Sequence, residues 1–84
     1  MKLRFSGHSL FRIQQRGITE QQVNEVFAEH KRLLSYESED EPGRWVYMVA
    51  IGDRKLKVVT YPSIEDSPRD ATITVITAFW HENK

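Results

Sequence analysis

The residues most able to do chemistry lie near the start of the chain, where one histidine and two arginines recur at every fourth position. They are His8, Arg12 and Arg16, in the stretch GHSLFRIQQRGITEQQ. At about 100° per residue, a helix places these three side chains within about 80° of one another. Guanidinium groups bind phosphate, and a histidine suits acid–base work near neutral pH. The spacing therefore predicts a helix face that binds and cleaves an anionic substrate.

The same stripe is also compatible with an ordinary solvated helix face. A functional site is favoured because no acidic residue occurs between Met1 and Thr19, so nothing close in sequence pairs these charges. In the predicted helix His8 lies in the first turn, where free backbone N–H groups attract anions. The spacing alone leaves open whether His8 acts in a site or is a surface histidine without a role.

A second group of candidates lies on a predicted hairpin. A Gly-Asp turn pairs Val49 with Leu56 and Met48 with Lys57. Lys57 then stands in a largely apolar row, with Tyr61 four residues further along the same face. A cation and a phenol on a half-open sheet can bind phosphate and stack a base, whereas a solvent-facing lysine and a packing tyrosine are the alternative. The residues predicted to share this face are Val46, Met48, Ala50, Lys55, Lys57, Val59 and Tyr61.

The elements that position these residues follow from caps and periodicity. Ser6 predicts the N-cap of the first helix, Gly17 its end, and Thr19 with Gln22 a capping box that begins a second helix. The order β-α-α-β-β-β predicts one α+β domain over residues 1–84, with two helices packed on an antiparallel sheet. The predicted elements are a strand at 2–5, helices at 7–16 and from 19 to about 32, a loop at 35–43, strands at 44–51 and 55–61, a loop at 62–70 and a strand at 71–80.

Composition and charge exclude several classes of protein. The chain of 84 residues has no cysteine, and its 12 Lys/Arg balance 12 Asp/Glu. The acids concentrate in predicted loops, four of them within 35–43, so the neutral total leaves room for a local basic face. There is no glycine-rich phosphate loop and no zinc-binding spacing, so no cofactor or metal is predicted. The role of His81, at the end of the last predicted strand, is ambiguous. No membrane-length apolar run or signal-peptide core occurs, which predicts a cytoplasmic protein without membrane contact.

The stretch GHSLFRIQQRGITEQQVNEVF resembles the His-x-x-x-Arg-x-x-x-Arg-Gly-Ile signature of domain-of-unknown-function family 4258. Members of this bacterial family resemble the RelE and BrnT toxins, whose fold is shared by small metal-independent ribonucleases. The resemblance implies a RelE-like domain that acts as an endoribonuclease, the toxin of a toxin–antitoxin pair, with RNA and a cognate antitoxin protein as partners. It leaves open the RNA target, ribosome dependence and oligomeric state. Positions 8, 12, 16, 17 and 18 match the signature, and Thr77 matches a threonine often found in the last strand.

As a nuclease, the chain would use the RNA 2′-OH as nucleophile and leave a 2′,3′-cyclic phosphate and a 5′-hydroxyl. His8 would transfer the proton, and Arg12, Arg16 and Lys57 would stabilise charge on the phosphorane. Thr77 would donate a hydrogen bond to a phosphate oxygen. In a regular strand, Thr77 would nevertheless lie on the same side as Ile73, Val75 and Phe79. This predicts that Thr77 points toward the core unless that end of the sheet opens.

Two other functions remain open at the level of the sequence. A non-catalytic module could hold RNA or an acidic protein segment on the same basic face, with Lys55 and Tyr61 among the RNA-binding residues. A protein-interaction module could instead recognise its partner through the acidic residues of 37–41. Loss of turnover with retained RNA affinity in His8→Ala would separate the nuclease from the binding modules.

Overall fold

The chain folds into five strands and two α-helices, and the computed structural model describes residues 1–81. The α+β class and the two helices are confirmed, but there is one strand more than the four predicted. No helix in the described range is long and apolar enough to cross a membrane. The elements are β1 (Lys2–Phe5), α1 (Gly7–Gln15), α2 (Glu20–Asn24), β2 (Arg32–Glu37), β3 (Trp45–Ile51), β4 (Arg54–Tyr61) and β5 (Thr72–His81), with 3-10 turns at Glu25–Phe27 and Glu29–Lys31.

The helix boundaries are set by local side-chain chemistry. The Ser6 hydroxyl accepts the Ser9 backbone N–H at 3.0 Å, which begins α1. At Gly17 the backbone has φ +70°, the left-handed conformation that ends helices and favours glycine. Thr19 and Gln22 exchange two 3.0 Å hydrogen bonds in the capping box of α2. All three signals are confirmed, and α1 ends one residue earlier than predicted.

The second helix is much shorter than predicted, and the fifth strand occupies part of its expected length. α2 ends at Asn24, and two 3-10 turns carry the chain into β2. The apolar stripe persists through these turns because Val26 is buried although it lies outside α2. β2 is an edge strand with a register irregularity between Arg32 and Leu34. It lacks the alternation of a half-buried strand, so periodicity does not detect it.

The sheet is mixed, which corrects the prediction of an antiparallel one. Its strand order is β1-β5-β4-β3-β2. The three pairs among β2 to β5 are antiparallel, whereas β1 pairs in parallel with β5. The hairpin register is confirmed, with Val49 opposite Leu56 and Met48 opposite Lys57. β1 reaches β5 through a long connection that contains both helices, as parallel neighbours require.

Both helices pack on one face of the sheet, which we call the covered face. Ile13 from α1 and Val23 from α2 are completely buried against it. Ile64, from the loop between β4 and β5, packs against the same core. The opposite side, which no helix covers, is called the open face. The core cluster consists of Ile13, Ile18, Val23, Val26, Tyr47, Val49, Leu56, Val58, Val75 and Ala78.

Candidate nucleic-acid interface

The strand register determines which side chains share the open face. Directly opposed residues in neighbouring strands project to the same side of a sheet. One row across this face contains Leu34, Met48, Lys57 and Phe79. The next row contains Tyr36, Val46, Val59 and Thr77.

Positive charge gathers on the half of the open face that β4, β5 and β1 form. Lys55 and Lys57 alternate with buried residues along β4. On β1, Lys2 lies opposite Thr72 and Arg4 opposite Thr74. None of the described strand residues on this face is an aspartate or glutamate. The strand residues of the open face are therefore basic although the chain as a whole is neutral.

Aromatic rings are interleaved with these cations. Tyr61 is 54% exposed, Tyr36 is 41% exposed and Phe79 is 37% exposed. The Lys57 ammonium lies 6.0 Å from the centre of the Phe79 ring. The Tyr61 ring lies close to the backbone at Gly43, where a Cβ atom would approach within 3.0 Å of the ring. Accessible rings beside cations are the components that bind single-stranded nucleic acid, because bases stack on the rings and phosphates pair with the cations.

Lys55, Lys57 and Tyr61 share the face that the hairpin register predicts. Lys57 is half-buried, and Tyr61 is one of the most exposed aromatic side chains of the described residues. The structure therefore brings these three residues together on one surface. Their roles in binding or catalysis stay predictions.

Thr77 does not follow the parity expected for a regular strand. The register passes from Val75 opposite Thr60 to Thr77 opposite Val59, and Ile76 has no partner. This bulge reverses the alternation, so the buried residue is Ala78 rather than Thr77. The prediction that Thr77 points into the core is wrong for this reason.

Arg16 joins the end of α1 to β5. Its Nη1 donates hydrogen bonds to Thr77 Oγ1 at 3.0 Å and to the Ala78 carbonyl at 2.8 Å, and Trp80 Nε1 donates to the Arg16 carbonyl at 2.9 Å. β1 pairs with β5 only as far as Val75, which leaves the Ala78 carbonyl available to Arg16. We call these contacts the Arg16 clasp. They give Arg16 a structural role at the edge of the sheet.

His8 and Arg12 lie apart from the open-face residues. Both are exposed on α1, which packs on the covered face, whereas Ser9 and Ile13 of the same helix are buried. At 1.5 Å per residue, His8 lies about 12 Å from Arg16 along the helix axis. The structure thus brings Arg16 and Thr77 together, but it does not bring His8 to Lys57.

His81 lies on the open face directly opposite Lys55, and sequence reasoning left it ambiguous. The neighbouring β5 residue on the same face is Phe79, which lies opposite Lys57. Only the pairing of β4 with β5, including the bulge, shows that His81 shares the face of the two lysines. Periodicity within β5 alone does not contain that information.

A separate hydrogen-bond network lies on the covered face. The Tyr47 hydroxyl donates to Glu65 Oε2 at 2.6 Å and accepts the Ile64 N–H at 2.8 Å. Arg32 Nη1 lies 3.3 Å from Glu65 Oε1. Burial, followed by the hydrogen bond to Glu65, raises the pKa of Tyr47 well above its ordinary value. The network fastens the β4–β5 loop to the core, so its role is structural.

Metal-ligating side chains are not clustered: residues 1–81 contain no group of three or more His, Asp or Glu side chains placed to hold one ion.

Comparison with known proteins gives one family. The family model described as "Domain of unknown function (DUF4258)" matches residues 5–80, from the end of β1 to nearly the end of β5. Neither a curated protein nor a solved structure matches the chain significantly. The match covers α1 with its His8, Arg12 and Arg16 signature, the strands β2, β3 and β4 in full, and all of β5 except its last residue. The chain therefore belongs to the DUF4258 family of domains of unknown function.

Proposed function

We propose that this protein binds single-stranded RNA on the open face of its sheet. The observation that supports this most strongly is the composition of that face, which has four cationic side chains, three exposed aromatic rings and no carboxylate on its described strands. Cations alone would attract any polyanion, whereas accessible rings favour unpaired bases that can stack. The combination therefore favours single-stranded RNA over duplex.

Equilibrium titration of a fluorescently labelled 16-nucleotide RNA tests this proposal. Phe79→Ala should weaken binding about fivefold or more, since stacking on one ring contributes at least about 1 kcal/mol. Lys57→Gln should weaken binding and reduce its dependence on salt, because one phosphate contact is lost. Lys31→Gln is the matched control, since Lys31 lies in a 3-10 turn and pairs with Glu25 at 3.0 Å.

The proposal is contradicted if Lys57→Gln and Lys31→Gln have the same effect and Phe79→Ala has none. That pattern would mean that the RNA responds to total charge rather than to the open face. Circular dichroism of each variant provides the check that the fold is retained.

Cleavage of the bound RNA is a second candidate function, and the placement of His81 favours it. Directly opposed Cβ atoms lie about 4.5 to 5.5 Å apart, so the imidazole of His81 and the ammonium of Lys55 can reach one phosphate. The 2′-hydroxyl of the RNA would lose its proton to the His81 imidazole, and its oxygen would form a bond to phosphorus while the bond to the 5′-oxygen breaks. The leaving oxygen would take up a proton, and the lysines would stabilise the phosphorane charge.

Incubation of RNA in EDTA with the wild type, His81→Ala and His8→Ala tests this second function. Cleavage to a 2′,3′-cyclic phosphate that is lost only in His81→Ala supports an active centre on the open face. Loss only in His8→Ala supports the role that the α1 signature predicts for His8. Equal cleavage of the corresponding DNA, which lacks the 2′-OH, would contradict both versions. The toxin role and the antitoxin partner implied by the resemblance stay predictions.

A further inference from the structure

The basic surface extends beyond the open face onto β1 and α1. Residues 1–19 carry four Lys/Arg and no Asp or Glu, and they form the edge strand β1 and the adjoining helix α1. Arg12 and His8 are exposed on the outer side of α1. Phe11 lies between them in sequence and is 58% exposed, more than any other exposed large apolar side chain of residues 1–81. The function proposed above leaves this helix face unused.

The open face and the outer side of α1 are connected around the β1 edge. From Tyr61, opposite Thr74 of β5, the sheet continues to Arg4 of β1, about 10 Å away at two strand spacings. Lys2 and Arg4 stand there at the sheet margin. α1 begins two residues after β1 and packs against both β1 and β5. A chain leaving the open face at this margin therefore meets cations without crossing an acidic residue of β1 or α1.

The charges on the outer side of α1 have no partner within the described part of the molecule. The salt bridges found among residues 1–81 join Lys31 to Glu25 and Arg32 to Glu29 and Glu65, and none involves His8 or Arg12. The side chains of Arg12 and Phe11 also form no hydrogen bond or cation–π contact there. The helix thus presents a cation and an exposed ring that make no contact with each other, so both are available to a ligand.

We infer that RNA bound on the open face continues around the β1 edge onto α1, where a base stacks on Phe11 and a phosphate pairs with Arg12. This inference rests on the proposed function and specifies the ligand further. The preferred ligand is a single strand long enough to occupy both surfaces, rather than a short oligonucleotide held by the sheet alone. Charge complementarity and continuity with the open face select RNA as the occupant of this helix face.

The test measures affinities for two RNAs of 4 and 16 nucleotides, which correspond to about the lower and upper site sizes of small single-strand-binding domains. Phe11→Ala should weaken binding of the longer RNA about fivefold or more and leave the affinity for the shorter RNA unchanged. Arg12→Gln should lower the slope of log affinity against log salt by about 0.7 for the longer RNA only. Lys57→Gln should weaken both, and Arg69→Gln, in the β4–β5 loop, is the control for loss of an exposed arginine.

The outcomes separate this inference from the proposed function. If Lys57→Gln weakens both RNAs while Phe11→Ala and Arg12→Gln change neither, the inference is overturned and the proposed function stands. An equal loss for both lengths in Phe11→Ala also overturns it, because the helix would then belong to the primary site. If neither RNA binds the wild type, both proposals fail. Phe11 and Arg12 are exposed, so their variants should melt at the wild-type temperature, which thermal denaturation verifies.

Discussion

The two faces of the sheet are built from alternate residues of the same strands, and they differ in almost every property. Along β4, Leu56 and Val58 are completely buried beneath the helices, whereas Lys55 and Lys57 stand on the open face. The covered face is mainly apolar and carries the network of Tyr47, Glu65 and Arg32, whereas the open face combines cations with accessible rings. Along β4, the alternation of side chains thus places residues that stabilise the fold on one face and residues available for binding on the other.

The largest difference between the faces should appear in stability. Leu56→Ala removes a completely buried side chain, so we expect it to lower the free energy of unfolding by about 2 to 5 kcal/mol. Lys57→Ala, one residue along and on the other face, should change it by less than about 0.5 kcal/mol. Urea denaturation measures both. Equal losses would mean that the open face is part of the core, which would remove the basis of the comparison.

The Arg16 clasp connects the two faces at the β5 edge. Arg16→Ala removes hydrogen bonds to Thr77 and to the Ala78 carbonyl, so the free energy of unfolding should fall by about 1 to 3 kcal/mol. Arg12→Ala is the matched control on the same helix and should change stability by less than about 0.5 kcal/mol. If the two variants are equally stable, Arg16 is a surface cation like Arg12 and the clasp does not stabilise the fold.

Because of Tyr47, the free energy of unfolding should fall at high pH. Its folded-state pKa lies above the unfolded value of about 10, because burial and Glu65 disfavour the phenolate. The stabilisation is complete below pH 10, and it falls above that pH by about 1.4 kcal/mol per unit because the unfolded chain loses a proton that the folded chain retains. Denaturation at pH 9 to 11 should show a steeper decline for the wild type than for Tyr47→Phe. Parallel declines would contradict this assignment.

The capping box of α2 provides the smallest test. Thr19→Ala removes the acceptor of the Gln22 N–H, so we expect a loss of about 1 kcal/mol. The affinity for RNA should not change, because Thr19 lies at the start of a helix on the covered side. Thermal denaturation and RNA titration on the same sample check both statements. A loss of RNA affinity without a loss of stability would place α2 in the binding surface.

Local interactions could be predicted from the sequence, and non-local ones could not. Ser6, Gly17 and the Thr19 capping box act within a few residues, and the β3–β4 register follows from a two-residue turn. The parallel pairing of β1, by contrast, depends on a partner 70 residues away in sequence. The bulge at Ile76 reverses the side of every later residue of β5, which is why the positions of Thr77 and His81 were not foreseen.

The candidate site divides in the same way. The hairpin pattern predicts that Lys55, Lys57 and Tyr61 share one face, since a single turn sets their register. The spacing of His8, Arg12 and Arg16 predicts one unit, but only Arg16 contacts the sheet, whereas His8 and Arg12 are exposed. Tyr36 was missed because β2 has no regular alternation.

The most direct test of the central claim is a chemical-shift map of the 15N- and 13C-labelled protein during titration with single-stranded RNA. The account predicts that shifts concentrate on the open-face side chains of Tyr36, Lys57, Phe79 and His81, while the core methyl groups of Val49 and Leu56 remain unchanged. Shifts confined to α2 and the β4–β5 loop, with none at Lys57 or Phe79, would contradict it.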